Sequence, residues 1–101
     1  MEKQLNNLLI INKIKKKADI LLLSLGFDKI YFNDEEIYRY KEIFLKINYI
    51  DGISAFVFEV CYGINKAKNG LFEDTEVYPV NMGENKIMSE MEINIIKYYI
   101  N

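Results

Sequence analysis

The strongest constraint on the fold is the stretch from Tyr40 to Gly63, where two apolar runs flank Asp51-Gly52. Asp-Gly is the dipeptide a two-residue hairpin turn prefers, because a type I′ turn needs φ > 0 at both central positions. With Asp51 and Gly52 as that turn, Ile50 faces Ile53, Tyr49 faces Ser54, and the register runs back to Ile43 opposite Val60. Strand side chains alternate between faces, so the pairing sorts the residues. One face carries Ile43, Leu45, Ile47 and Tyr49 against Val60, Phe58, Phe56 and Ser54, and is predicted to be the core face. The other carries Phe44, Lys46 and Asn48 against Glu59, Val57 and Ala55, and is predicted to be half wet. Nothing in this hairpin is chemistry: it defines a soluble α+β domain and no activity.

A chain of 101 residues makes one domain, residues 1–101, and a domain of that size buries roughly two-thirds of the surface its unfolded chain exposes. Half of the residues are hydrophobic, so the core needs no disulfide staples, and the lone Cys61 reads as a small buried hydrophobe. There is no histidine, which excludes every triad, proton shuttle or metal site that needs imidazole. The longest apolar run, around Ile20 to Leu25, is too short to span a bilayer, and the N-terminus lacks a signal-peptide pattern. The expectation is a cytoplasmic protein with no membrane association. Charge is segregated: residues 1–17 hold five lysines against Glu2, while residues 18–101 hold 8 basic and 14 acidic groups, a balance of −6. Such polarity serves partner choice and steering.

Along the chain, Leu8, Ile11, Ile14, Ala18, Leu21, Leu22 and Leu25 recur at helical spacing between about Lys3 and Leu25, and Gly26 follows as a C-cap. Lys13, Lys16 and Lys17 lie on the far side, together with Leu5, Leu9, Ile20 and Leu23. The preferred reading has loops covering these four apolar residues; the other makes them a surface for another protein. Phe27 to Phe32 is predicted to be a strand, Asn33 to Glu36 a turn, and the next strand begins somewhere between Ile37 and Glu42. After the central hairpin, Ile64 to Asn69 makes one or two helical turns closed by Gly70, and Val77-Tyr78 forms a strand that Pro79 confines to an edge. Ser89-x-x-Glu92 fits a capping box for a final helix with the stripe Met91, Ile95, Tyr98 and Tyr99. The predicted architecture is an antiparallel sheet of about four strands, with the N-terminal and C-terminal helices packed on the face bearing Ile43, Leu45, Ile47, Phe56, Phe58 and Val60.

Chemistry-bearing residues are mainly acidic: Asp34-Glu35-Glu36, then Glu73-Asp74 with Glu76, then Glu84, Glu90 and Glu92. The first two clusters lack the alternating acidic positions, central Gly and terminal Glu of a calcium loop. A negative surface for a cationic protein is the sharper reading of these clusters, and solvated turns the plainer one. Lys15-Lys16-Lys17 makes a poor phosphate-binding stripe, since the three point in different directions and no aromatic platform is interleaved. No Gly-rich loop precedes a Lys-Ser or Lys-Thr pair. Neither a cofactor, a metal nor a nucleic-acid partner is expected.

The segment Ala55-Phe56-Val57-Phe58-Glu59-Val60, followed by Ala67-Lys68-Asn69-Gly70-Leu71-Phe72-Glu73-Asp74-Thr75-Glu76-Val77-Tyr78-Pro79, resembles small immunity proteins of bacterial polymorphic toxin and contact-dependent growth inhibition systems. The shared features are a strand, a short helix containing an Ala and an Asn, and an aromatic-Glu-Asp step into an edge strand. Lys66 departs from the pattern, which has an acidic residue before the Ala. The resemblance covers about a quarter of the chain, residues 55–80. It implies a non-enzymatic cytoplasmic inhibitor that binds the C-terminal domain of a cognate toxin, expected to be a cationic nuclease. Glu73, Asp74, Glu76 and the anchor Tyr78 are then the expected toxin-binding residues, with Asp34, Glu35 and Glu36 as a second patch. The alternative is a small cytoplasmic adaptor that self-associates, as a homodimer, through its N-terminal helix.

Overall fold

The computed structural model describes residues 2–100, with side chains from residue 8 onward. Helix α1 (Glu2–Ser24) leads into strands β1 (Asp28–Phe32), β2 (Glu35–Tyr40), β3 (Ile43–Ile50) and β4 (Ala55–Tyr62). Helix α2 (Ile64–Lys68), strand β5 (Glu73–Pro79) and helix α3 (Glu84–Tyr98) complete the order. The described strands form one antiparallel meander, β1-β2-β3-β4-β5, so that β1 and β5 are its edges. The fold is α+β, as expected, with five strands rather than about four.

The extra strand comes from the run before the central hairpin. It breaks at Lys41-Glu42, where Lys41 takes φ 55° and Tyr40 pairs with Ile43. The preceding turn is tighter than expected: Asn33 and Asp34 alone make it, at φ 51° and 63°, and Phe32 pairs directly with Glu35. Two successive positive φ values are the type I′ requirement, and Asn and Asp tolerate that region best after Gly. Glu35 and Glu36 are therefore strand residues, not turn residues.

The central hairpin closes differently. Ile50 pairs with Ala55, and Asp51–Ile53 forms a 3₁₀ turn ended by Ser54 at φ 49°. Gly52 does not adopt a positive φ. The register is thus shifted by two residues from the expected one, with Leu45 rather than Ile43 opposite Val60. A shift of two preserves the side-chain parity, so both faces have the predicted composition. Tertiary ties hold the longer loop: the Val80 amide donates to the Ser54 carbonyl at 2.9 Å, and Ala55 is buried opposite Pro79.

On the predicted core face, Leu45, Phe56, Phe58 and Val60 join Ile11, Ile14, Ala18 and Leu22 of α1 and Ile87, Met91 and Ile95 of α3 in one cluster. Each fully buried aliphatic or aromatic side chain contributes about 1.5–3 kcal/mol relative to exposure. The half-wet face carries a smaller cluster, Ile37, Phe44, Cys61 and Ala67, which α2 covers. Cys61 is buried as expected, and burial pushes its thiol above its ordinary pKa.

Helix ends follow local chemistry in two cases and depart from it in one. Gly26 at φ 101° ends α1, with the Phe27 amide on the Leu22 carbonyl and the Gly26 amide on the Leu23 carbonyl, the paired bonds of a Schellman motif. Gly70 closes α2 in the same way. Helix α3, however, starts at Glu84, so Ser89 lies inside it and the expected capping box does not form. Starting earlier buries Ile87, which extends the stripe Met91, Ile95, Tyr99 by one turn; that burial outweighs a cap of about 1 kcal/mol. Tyr98, expected in the stripe, is exposed.

The outer side of α1 is a further correction. Leu9, Ile20 and Leu23 are 62%, 67% and 44% exposed, so no loop covers them. Leu8, expected in the buried stripe, is also exposed; the Leu5 side chain lies outside the described residues. No described helix is long and apolar enough to cross a membrane.

Candidate functional site

Strand β5 is an edge because Pro79, its last residue, has no amide hydrogen to donate. Its pairing with β4 is interrupted by a bulge between Val57 and Glu59, which leaves Thr75 and Glu76 without ladder partners. Bulges re-aim side chains, and here the hydroxyl of Tyr99 donates to Glu76 Oε2 at 2.8 Å and lies 3.0 Å from the Thr75 hydroxyl. Thr75 also bonds Glu76, and it donates to the Phe58 carbonyl at 3.3 Å. Burial, with the Glu76 carboxylate adding to it, raises the Tyr99 phenol well above its ordinary range. The Glu76 carboxylate is therefore held by α3, while Glu73, opposite Val60 on the helix-bearing face, and Asp74, opposite Glu59 on the other face, are both exposed. Among the described residues none of the three has an ion-pair partner.

Tyr78 does not belong to this surface. It is 2% exposed, packs edge-on against Phe58 with ring centroids 5.0 Å apart, and accepts a hydrogen bond from Asn94 Nδ2 at 2.9 Å. Burial pushes its phenol up to about 12. Strand alternation explains the reversal: Tyr78 lies opposite Phe56 on the core face, and Val77, opposite Val57, points outward. Val77 is 53% exposed, and Leu71 is exposed too. The signal that could have found Val77 is its parity against the β4 pattern.

The second expected patch is not free. Glu35 pairs with Lys46 at 2.7 Å, and Glu36 with Lys29 at 3.3 Å. Lys29 also reaches Asp19 at 2.9 Å, leaving Asp34 as the exposed turn carboxylate without an ion pair among the described residues. The sheet order sets β2 and β5 three strands apart, about 14 Å at normal inter-strand spacing. The two acidic clusters are therefore separate, and of the two it is the β5 cluster that has no lysine partner among the described residues. Glu84 is likewise bound by Lys13 and Lys17, across the α1–α3 contact. These carboxylates can accept hydrogen bonds and pair with cations on a partner; no group of three metal-ligating side chains occurs among the described residues. Comparison with protein-family models, with curated proteins and with solved structures finds no match.

Proposed function

We propose that this protein is a non-catalytic inhibitor that binds the C-terminal domain of a cognate toxin through the β5 edge, acting in the cytoplasm in the manner of an immunity protein. The observation that carries the reading is the edge strand β5, which holds Glu73 and Glu76 on its helix-bearing face and Asp74 with exposed Val77 on the other, none of the three carboxylates having a lysine partner among the described residues. A negative strand edge of this kind accelerates association with a cationic protein and disfavours wrong partners. A nuclease is the expected target class, because its substrate surface is cationic and the carboxylates stand where phosphates would.

The test is protection of cells, and complex formation in vitro, with the toxin domain encoded beside this chain. Reversing Glu73 and Asp74 to Lys should leave folding intact, because neither side chain is buried, and should weaken binding by roughly ten- to a hundredfold at low salt. Adding Glu76→Lys should weaken it further, with a small loss of stability from the broken Tyr99 bond. Full protection by the folded double and triple variants would remove the site assignment.

A second reading has its own observation, the exposed Leu9, Ile20 and Leu23 on α1. An adaptor that self-associates through them sediments as a dimer, and Leu9→Glu with Ile20→Glu returns it to a monomer. A one-to-one complex with the toxin domain that weakens with salt favours the inhibitor.

A further inference from the structure

The sheet contains an opening in its interior. Strands β2 and β3 pair only over Tyr38–Leu45, Arg39–Phe44 and Tyr40–Ile43, although β2 extends back to Glu35 and β3 on to Ile50. Beyond Leu45 the two strands part, and the space between them and α1 is a cleft of about 620 Å³ lined by Lys15, Lys16 and Ile20 of α1, Glu36 and Tyr38 of β2, and Ile47 of β3.

Backbone geometry identifies what faces this cleft. The Gly63 amide donates to the Glu42 carbonyl at 2.8 Å, so Glu42–Gly63 is a hydrogen-bonded pair. Such pairs alternate along an antiparallel ladder, so Phe44, Lys46, Asn48 and Ile50 bond β4 while Ile43, Leu45, Ile47 and Tyr49 turn their backbone groups toward β2. Ile43 and Leu45 meet Tyr40 and Tyr38 there. Ile47 and Tyr49 have no strand partner on that side among the described residues, and Glu36 of β2 is left without a partner on β3. This is an open strand edge inside a sheet, and its amides and carbonyls need partners.

The charges choose the occupant. Within the cleft, Lys29 is matched by Asp19 and Glu36, and Lys46 by Glu35. Lys15 and Lys16 are exposed and have no carboxylate within ion-pair distance among the described residues. A residue added opposite Ile47 directs its side chain to the same face, below α1. We propose that this edge binds an extended acidic peptide segment as an added strand. Backbone bonds to Ile47 and Tyr49 supply the register, and carboxylates on the face turned toward α1 meet Lys15 and Lys16. The site is separate from the β5 surface and does not depend on the toxin-inhibitor reading.

The probes are an acetylated, amidated hexapeptide alternating Glu and Val, its Lys/Val counterpart, and a Glu/Val peptide N-methylated at alternate amides, each added to the isotope-labelled full chain. In the free protein, the amides of Ile47 and Tyr49 should exchange faster than that of Leu45. The Glu/Val peptide should slow both by about tenfold or more at saturation. Lys15→Glu with Lys16→Glu, two exposed positions, should weaken that peptide by roughly three- to tenfold, and N-methylation should abolish protection. Equal binding of the Lys/Val peptide, shifts confined to α1 without protection of Ile47 and Tyr49, or no binding at millimolar peptide would each overturn the proposal. So would protection that grows with protein concentration alone, which assigns the edge to a second copy of the chain.

Discussion

Asp19 is the residue through which α1 grips the β1–β2 hairpin. Its carboxylate accepts the Tyr38 hydroxyl at 2.6 Å and pairs with Lys29 at 2.9 Å. The Tyr38 hydrogen bond, then Lys29, holds the Asp19 carboxyl below its ordinary value of 3.8, while burial and Asp19 together raise the Tyr38 phenol. A carboxyl whose folded pKa is depressed contributes stability above its unfolded pKa and loses it as pH falls through the folded value. Asp19→Asn should therefore cost about 1–2 kcal/mol near neutral pH, and urea titrations should show the gap closing as pH drops below 3.8. A gap that is the same at every pH would mean that packing, not charge, is what Asp19 supplies. None of this was legible in the sequence, because Asp19, Lys29 and Tyr38 stand on three different elements and meet only when α1 crosses the hairpin. Tyr78 teaches the same lesson at the candidate site: it is aromatic and near acidic residues in the chain, but strand parity turns it inward.

At the scale of elements, local turn preference and tertiary context each won once. Asn33-Asp34 takes the type I′ geometry, whereas Asp51-Gly52, the better dipeptide for it, sits in a four-residue loop whose left-handed position falls on Ser54. The difference is the cost of the neighbours: a turn preference is worth about 1 kcal/mol, less than burying Ala55 and tying Ser54 to Val80. Two substitutions separate these geometries. Asp34→Gly should raise stability by about 0.5–1 kcal/mol by relieving a positive φ. Gly52→Ala should be neutral or raise it by up to about 1 kcal/mol, since Gly52 keeps an ordinary φ and its added Cβ meets nothing within 4 Å. A loss of about 1 kcal/mol on Gly52→Ala in thermal unfolding would return the two-residue turn to that position. The start of α3 has the same cause: a Ser-x-x-Glu pattern is visible in the chain, but the burial of Ile87 becomes visible only against the sheet.

For the molecule as a whole, the meander puts both long helices on one face and leaves the edges β1 and β5 to solvent or partners. Three phenols, Tyr38, Tyr78 and Tyr99, are buried in the common core, and burial raises all three. A group with a raised folded pKa lends stability that is present below its unfolded value and lost as pH rises through the folded one. Stability should therefore decline above pH about 10, and near-ultraviolet absorbance should show the buried Tyr38, Tyr78 and Tyr99 ionising only as the chain unfolds. Ionisation of all of them together near pH 10, with circular dichroism unchanged, would contradict the buried assignments. The sequence by itself determined the α+β class, the two faces of the central hairpin, the glycine helix ends and the edge position of the strand that Pro79 closes, because each rests on periodicity or on one residue's backbone. Only the tertiary structure decided the fifth strand, the outward turn of Val77, which carboxylates lysines neutralise and where β3 lies open, because those depend on atoms brought together from far along the chain.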